Sequence, residues 1–123
     1  MFIRFITTGG TIDKVYFDAL SQFEIGESPL DAILGDALVD FHYEVVPMFR
    51  KDSLELTDDD RQKLKKFIEA DGADRYVISH GTDTMVETAD MLNDLPGRTI
   101  VLTGALSPAR FRTTDAIFNV GMA

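Results

Sequence analysis

Four short apolar runs alternate with four stretches of helical character, and this alternation narrows the available folds more than any other feature of the chain. The runs are Phe2–Ile6, Tyr43–Val46, Tyr76–Ile78 and Thr99–Leu102. Three of them are nearly continuously apolar, as strands covered on both faces tend to be. The first helical stretch is Pro29–Leu38, with Pro29 suited to an early helical position. The second opens at Thr57, a good N-cap, and carries Asp58, Asp59 and Asp60 in its first turn, where the helix dipole favours acids. Leu64, Phe67 and Ile68 follow at helical spacing and Gly72 ends the run. The third covers Asp83–Leu95, stopped by Pro96-Gly97, and the fourth begins near Thr113 or Thr114. Such an order predicts one three-layer α/β domain over residues 1–123, flavodoxin-like, with a parallel central sheet. The irregular segment Asp13–Glu27 is expected to form a mobile flap.

Composition restricts the partners. The formal net charge is -9, which repels phosphate backbones and anionic membrane surfaces, so neither nucleic acid nor a membrane is expected as a partner. There is no cysteine, which excludes disulfides and thiolate chemistry. The two histidines, His42 and His80, leave little for a zinc site, and no cofactor or metal is expected. No apolar run approaches the roughly 18 residues of a spanning helix. With no secretory signal visible, the cytoplasm is the expected compartment.

A polar motif follows each strand candidate: "TTGGTID" from Thr7, "FRKDSLELT" from Phe49, "SHGTDT" from Ser79 and "TGALSP" from Thr103. In open parallel sheets, ligands bind beyond the carboxyl ends of the strands, where strand order reverses. A flavodoxin-like order makes the first and third strands neighbours at that point. Thr11 is then expected opposite Thr82 and Asp83, in a crevice rich in hydroxyls and backbone N–H groups. Asp83 suits an ammonium and the helix N-termini suit an anion, so a small zwitterion such as an amino acid satisfies both. Hydroxyls at Thr8, Thr11, Ser53, Thr82 and Thr84 offer a nucleophile, although threonine needs help losing its proton. Plainer roles exist for the same residues. Gly9-Gly10 also serves an ordinary tight turn, Thr84 a helix cap, His80 a packed loop, and Asp58–Asp60 a solvated helix start.

The pair "TGGTI" at Thr8–Ile12 and "HGTDTMVETA" at His80–Ala89 resembles the two signatures of the bacterial-type L-asparaginases. "VLTGALSP" at Val101–Pro108 resembles the family's next strand and loop, and Phe118-Asn119 also fits. The resemblance covers the whole chain but only the family's N-terminal domain, so a one-domain chain without the family's C-terminal domain is expected. It implies hydrolysis of the side-chain amide of asparagine, and of glutamine in some members, to the acid and ammonia. By position, Thr11 matches the nucleophile and Thr82 a second catalytic threonine. Asp83 matches the holder of the substrate ammonium, and Ser53 the serine on the α-carboxylate. Backbone N–H groups near Thr11 and Thr82 would then stabilise the oxyanion. A homo-oligomer is implied as well.

Three departures weigh on turnover. Phe23 aligns with the family's flap tyrosine and lacks its hydroxyl, which leaves Tyr16 as the flap tyrosine. The family's catalytic lysine lies in the helix that begins near Thr113, beyond the end of this chain, and Lys14 is the nearest substitute in sequence. The C-terminal domain, which in the family drives dimer pairing, lies outside the resemblance, and a chain without it is expected. An amino-acid-binding module or pseudoenzyme is therefore the alternative reading. A flavodoxin-like mononucleotide binder is a third, opposed by the acidic charge and by the lack of GxxxxGK[ST].

Overall fold

The computed structural model describes residues 1–17 and 22–123. In chain order its elements are β1 (Phe2–Gly9), β2 (Lys14–Phe17), β3 (Gln22–Ile25), α1 (Leu30–Asp36), β4 (His42–Lys51), α2 (Asp58–Ala70), β5 (Arg75–Ser79), α3 (Met85–Leu92), β6 (Thr99–Thr103) and α4 (Ala116–Met122). Strands β4, β1, β5 and β6 lie in that order in one sheet, and every pairing is parallel. The flavodoxin-like prediction is met: the first and third strands of this sheet are neighbours, and strand order reverses between them.

Three layers follow from period-two alternation along the strands. Phe5 and Val77 face one side, where they pack with Leu30 and Leu34 of α1 and Ala116 and Val120 of α4. Ile6, Tyr76 and Ile78 face the other, against Leu64 and Ile68 of α2 and Leu92 of α3.

Strand β4 runs past the predicted Val46 to Lys51, with Pro47 inside it. Pro47 cannot donate a ladder hydrogen bond, but β4 is an edge strand, where proline is tolerated. The segment Asp13–Glu27 contains an antiparallel hairpin of β2 and β3, closed at its base by Gly26 N donating to Asp13 O at 2.9 Å. The expected flap includes Asp18–Ser21, which lie outside the described residues.

The predicted cap of α2 is present, because Thr57 Oγ1 accepts from Asp60 N at 3.2 Å while the Asp60 carboxylate accepts from Thr57 N at 3.0 Å. The acidic first turn is only partly a solvated face. Asp58 and Asp59 are exposed, whereas Asp60 is buried and takes a 2.8 Å bond from Lys51 Nζ. That ammonium holds the Asp60 carboxyl below its usual range. The reciprocal cap pulls the third acid inward and leaves the first two in water.

Candidate active site

The loops after β1, β4, β5 and β6 meet at one end of the sheet, through contacts that leave no room for side chains. Gly9 and Gly10 both take positive φ, 106° and 84°. A methyl on Gly9 would strike Lys51 O, and one on Gly10 would stand 2.6 Å from Gly81 Cα. A methyl on Gly81 would stand 2.6 Å from Ser53 Oγ, and one on Gly104 would strike His80 O. The Gly9-Gly10 pair is thus more than an ordinary turn. It lets the loop carrying Thr11 press against the loop carrying Thr82.

Thr11 opens a one-turn 3-10 helix, Thr11–Asp13, and is half-buried. It borders a cavity of about 310 Å3 with Lys14, Phe23, Leu106, Ser107 and Phe111. Phe23 stacks at 5.7 Å on Phe111. Tyr16, its cross-strand partner, lies 5.3 Å from the same ring. Lys14 Nζ is 3.2 Å from Asp52 Oδ2, which ties the hairpin to the β4 loop. Ala109 N donates to Ile12 O at 3.1 Å, so the β6 loop flanks the Thr11 turn.

Ser53 is fully buried against Gly81, and its hydroxyl has no hydrogen-bond partner among the described residues. Thr82 and Asp83 are exposed in the turn after β5. Thr82 and Asp83 are thus carried by the loop adjoining Thr11, on the rim, and are not among the residues walling the Thr11 cavity. Thr84 occupies the cap position of α3 but does not cap it. Its hydroxyl donates to Ser53 O at 2.8 Å and binds two of the loops together. Thr8 is not available as a nucleophile, being buried with its hydroxyl donating to Ser79 O at 2.8 Å.

His80 is the packed residue that a loop histidine suggests. It is 1% exposed, and burial lowers its basicity. Its Nδ1–H donates to Gly81 O at 2.6 Å, and its Nε2 accepts from the Thr88 hydroxyl at 2.8 Å. Thr88 Oγ1 in turn accepts from Arg61 Nε at 3.0 Å. This relay from α2 through α3 fixes the ring and the Gly81 carbonyl before Thr82. Sequence reasoning passed over Arg61 and Thr88. A signal was available, since a threonine and an arginine at otherwise apolar-facing helix positions require buried partners.

The β6 loop is fixed by α4. Asp115 accepts from Leu106 N at 2.9 Å and Ser107 N at 3.0 Å, and these bonds hold its carboxyl below the usual range. Asn119 Nδ2 donates to Gly104 O at 2.8 Å. Among the described residues, no three carboxylates or imidazoles come together as metal ligands, and no helix is long and apolar enough to cross a membrane.

Comparison with known proteins agrees with this fold. An L-asparaginase of Bacillus licheniformis is 35% identical over 132 aligned positions, which span 96% of this chain and 39% of that protein. The structure of L-asparaginase I from Vibrio cholerae superposes with a TM-score of 0.81 at 26% identity, over 97% of this chain and 38% of its own. A Campylobacter jejuni protein described as a probable cytoplasmic L-asparaginase gives a TM-score of 0.69 at 32% identity, over 97% and 37%. The chain thus spans somewhat over a third of the length of these relatives. The family model for the asparaginase N-terminal domain matches residues 2–123, and the chain belongs to the asparaginase family.

Proposed function

We propose that the protein is an amidohydrolase acting on the side-chain amide of asparagine, and of glutamine as a second substrate, with Thr11 as nucleophile. The observation that carries this reading is the contact of Gly10 with Gly81, which joins the two hydroxyl-bearing loops at the strand-order reversal. In this reading the Thr11 hydroxyl attacks the amide carbon and backbone N–H groups of the Thr11 and Thr82 loops receive the oxyanion. The C–N bond breaks as the nitrogen takes a proton and leaves as ammonia. Water then cleaves the acyl ester to free the acid and restore Thr11. Thr82 serves this proton traffic, Asp83 holds the substrate ammonium, and Ser53 serves its α-carboxylate.

A second reading rests on Phe23. Its ring borders the same cavity as Thr11 and carries no hydroxyl, and Lys14, the cation beside it, is engaged by Asp52. Both facts favour a chain that binds the amino acid and turns it over slowly. Ammonia release from asparagine and glutamine, using protein of known intact mass, separates the two. Robust release that Thr11→Ala abolishes supports the first, and release that survives Thr11→Ala overturns it. Saturable aspartate binding by calorimetry without release supports the second. Asp83→Asn should weaken that binding severalfold, and unchanged affinity would remove Asp83 from the site.

Assembly into a homo-oligomer is supported by the exposed apolar side chains Ile117, Phe118 and Met122 of the short helix α4, since apolar side chains exposed close together on one element favour an interface. A monomer in light scattering would overturn it. The cytoplasmic placement is supported by the description of the Campylobacter jejuni neighbour, whereas a Haemophilus influenzae relative is described as periplasmic. Fractionation of the source cells decides between them.

A further inference from the structure

A second polar cavity, of about 190 Å3, opens on the α1 side of the sheet, away from the cavity beside Thr11. Its walls include Thr7 from β1, Val45 and Pro47 from β4, Ser28 from the segment before α1, and Asp13. Asp13 is 2% exposed; its Oδ1 and the Ser28 hydroxyl make no hydrogen bond of good geometry among the described residues, although Ser28 lies close enough to the carboxyl to help keep it ionised. A buried carboxyl oxygen left unpaired is costly and is normally compensated. Glu27 and Asp31 add two further carboxylates, against the single guanidinium of Arg50. Arg50 is already engaged by Glu27 Oε1 at 3.3 Å, and Arg110 is turned to Glu27 O at 3.0 Å.

The cavity therefore has three carboxyl groups against one guanidinium. An anion is repelled by three carboxyl groups. A multidentate metal site is disfavoured, because the described carboxylates do not converge as ligands. A compact cation with several N–H donors matches Asp13 Oδ1 and Ser28 Oγ together, and the apolar wall of Val45 and Pro47 accommodates a short aliphatic group beside it.

We propose that this cavity binds the ammonium group of a small primary amine, at a site separate from Thr11. Binding is strongest with the Asp13 carboxyl ionised. Burial pushes that carboxyl up to about 6, against the opposing influence of Ser28, Arg110 and Arg50, while Glu27 and Asp31 face the same space. The site is coupled to the hairpin, because the Asp13 carbonyl accepts from Gly26 N at the hairpin base. The inference does not rest on amide hydrolysis, so a Thr11→Ala chain should bind the amine as the parent chain does.

The test is a two-dimensional amide NMR titration at pH 7.5 and constant ionic strength. The probes are ammonium chloride, ethylammonium chloride and L-aspartate, with tetramethylammonium chloride as a cation that cannot donate. Saturable shifts at Thr7, Asp13 and Ser28 with ammonium or ethylammonium, absent with tetramethylammonium, uphold the site; L-aspartate counts as a ligand of this cavity only where Asp83→Asn leaves its affinity unchanged, and the relative affinities identify bare ammonium, an amine or an amino acid as the source. Asp13→Asn should weaken binding about tenfold or more, as loss of a charged hydrogen-bond acceptor implies. Ser28→Ala should weaken it severalfold, and decides the matter if Asp13→Asn does not fold. Shifts that fail to saturate, that tetramethylammonium reproduces, or that persist at equal affinity in the folded variants overturn the proposal.

Discussion

Gly10 and Gly81 stand backbone against backbone, so close that a single methyl on Gly10 would lie 2.6 Å from Gly81 Cα. The loop after β1 and the loop after β5 are thereby locked together at the reversal of strand order. Gly10 also holds φ 84°, ψ -176°, a conformation essentially confined to glycine. Gly10→Ala should therefore cost more than about 2 kcal/mol, adding backbone strain of about 1–3 kcal/mol to a contact that backbone atoms cannot relieve. Urea unfolding of parent and variant measures this. A loss under about 0.5 kcal/mol would show that the two loops part easily.

Phe23 offers a gain-of-function test. Its ring shares the Thr11 cavity and packs on both Tyr16 and Phe111. Phe23→Tyr adds one hydroxyl where the asparaginase resemblance places a tyrosine. Ammonia release per mole of protein should rise about tenfold or more, toward the 10²–10⁴-fold range of positioned proton transfer. Unchanged release would mean that the missing hydroxyl is not what limits this chain.

Thr88 is the middle of a buried relay, accepting from Arg61 Nε and donating to His80 Nε2. Thr88→Val keeps the shape and removes both bonds, which leaves a buried guanidinium N–H and an imidazole nitrogen unpaired. The expected loss is about 1–3 kcal/mol in denaturant unfolding. Because His80 fixes the Gly81 carbonyl, aspartate affinity should fall as well. A Thr88→Ser variant should recover most of both.

The architecture was legible because the four sheet strands are apolar runs separated by stretches of helical character, a pattern that admits few topologies. Boundaries were less so. Pro47 reads as a strand end, yet β4 continues through it, and only its edge position explains why. The β2–β3 hairpin was hidden because Lys14–Phe17 and Gln22–Ile25 are only four residues each and pair with each other outside the main sheet. Thr11, Ser53, Thr82 and Asp83 were readable as motif positions, and the geometry brings their loops together. What the sequence concealed is the division among the hydroxyls: Thr8 and Thr84 are spent on the carbonyls of Ser79 and Ser53, which depends on contacts between residues 71 and 31 positions apart. Asp13, which follows the motif, gave no hint of being buried.

Asp13 should leave a signature in the pH dependence of stability. Its folded carboxyl is raised to about 6 by burial, above the value of about 3.9 expected in an unfolded chain. Between those values the folded state holds the extra proton, so stability falls as pH rises from about 4 to about 6 and levels off above. At about 1.4 kcal/mol per unit, the full effect approaches 3 kcal/mol. Asp60, Asp71, Asp94 and Asp115 are shifted downward and contribute stability that is lost in acid, so the raw profile mixes both signs. The difference between parent and Asp13→Asn isolates the one group. The variant should gain on the parent as pH rises through this window and hold a constant advantage beyond about pH 7. Adding a saturating primary amine should shrink that advantage at pH 7.5, because the cation stabilises the ionised carboxylate of the parent alone. Parallel stability curves from pH 4 to 7 would show that Asp13 does not titrate in this range and that its carboxylate is accommodated without a ligand.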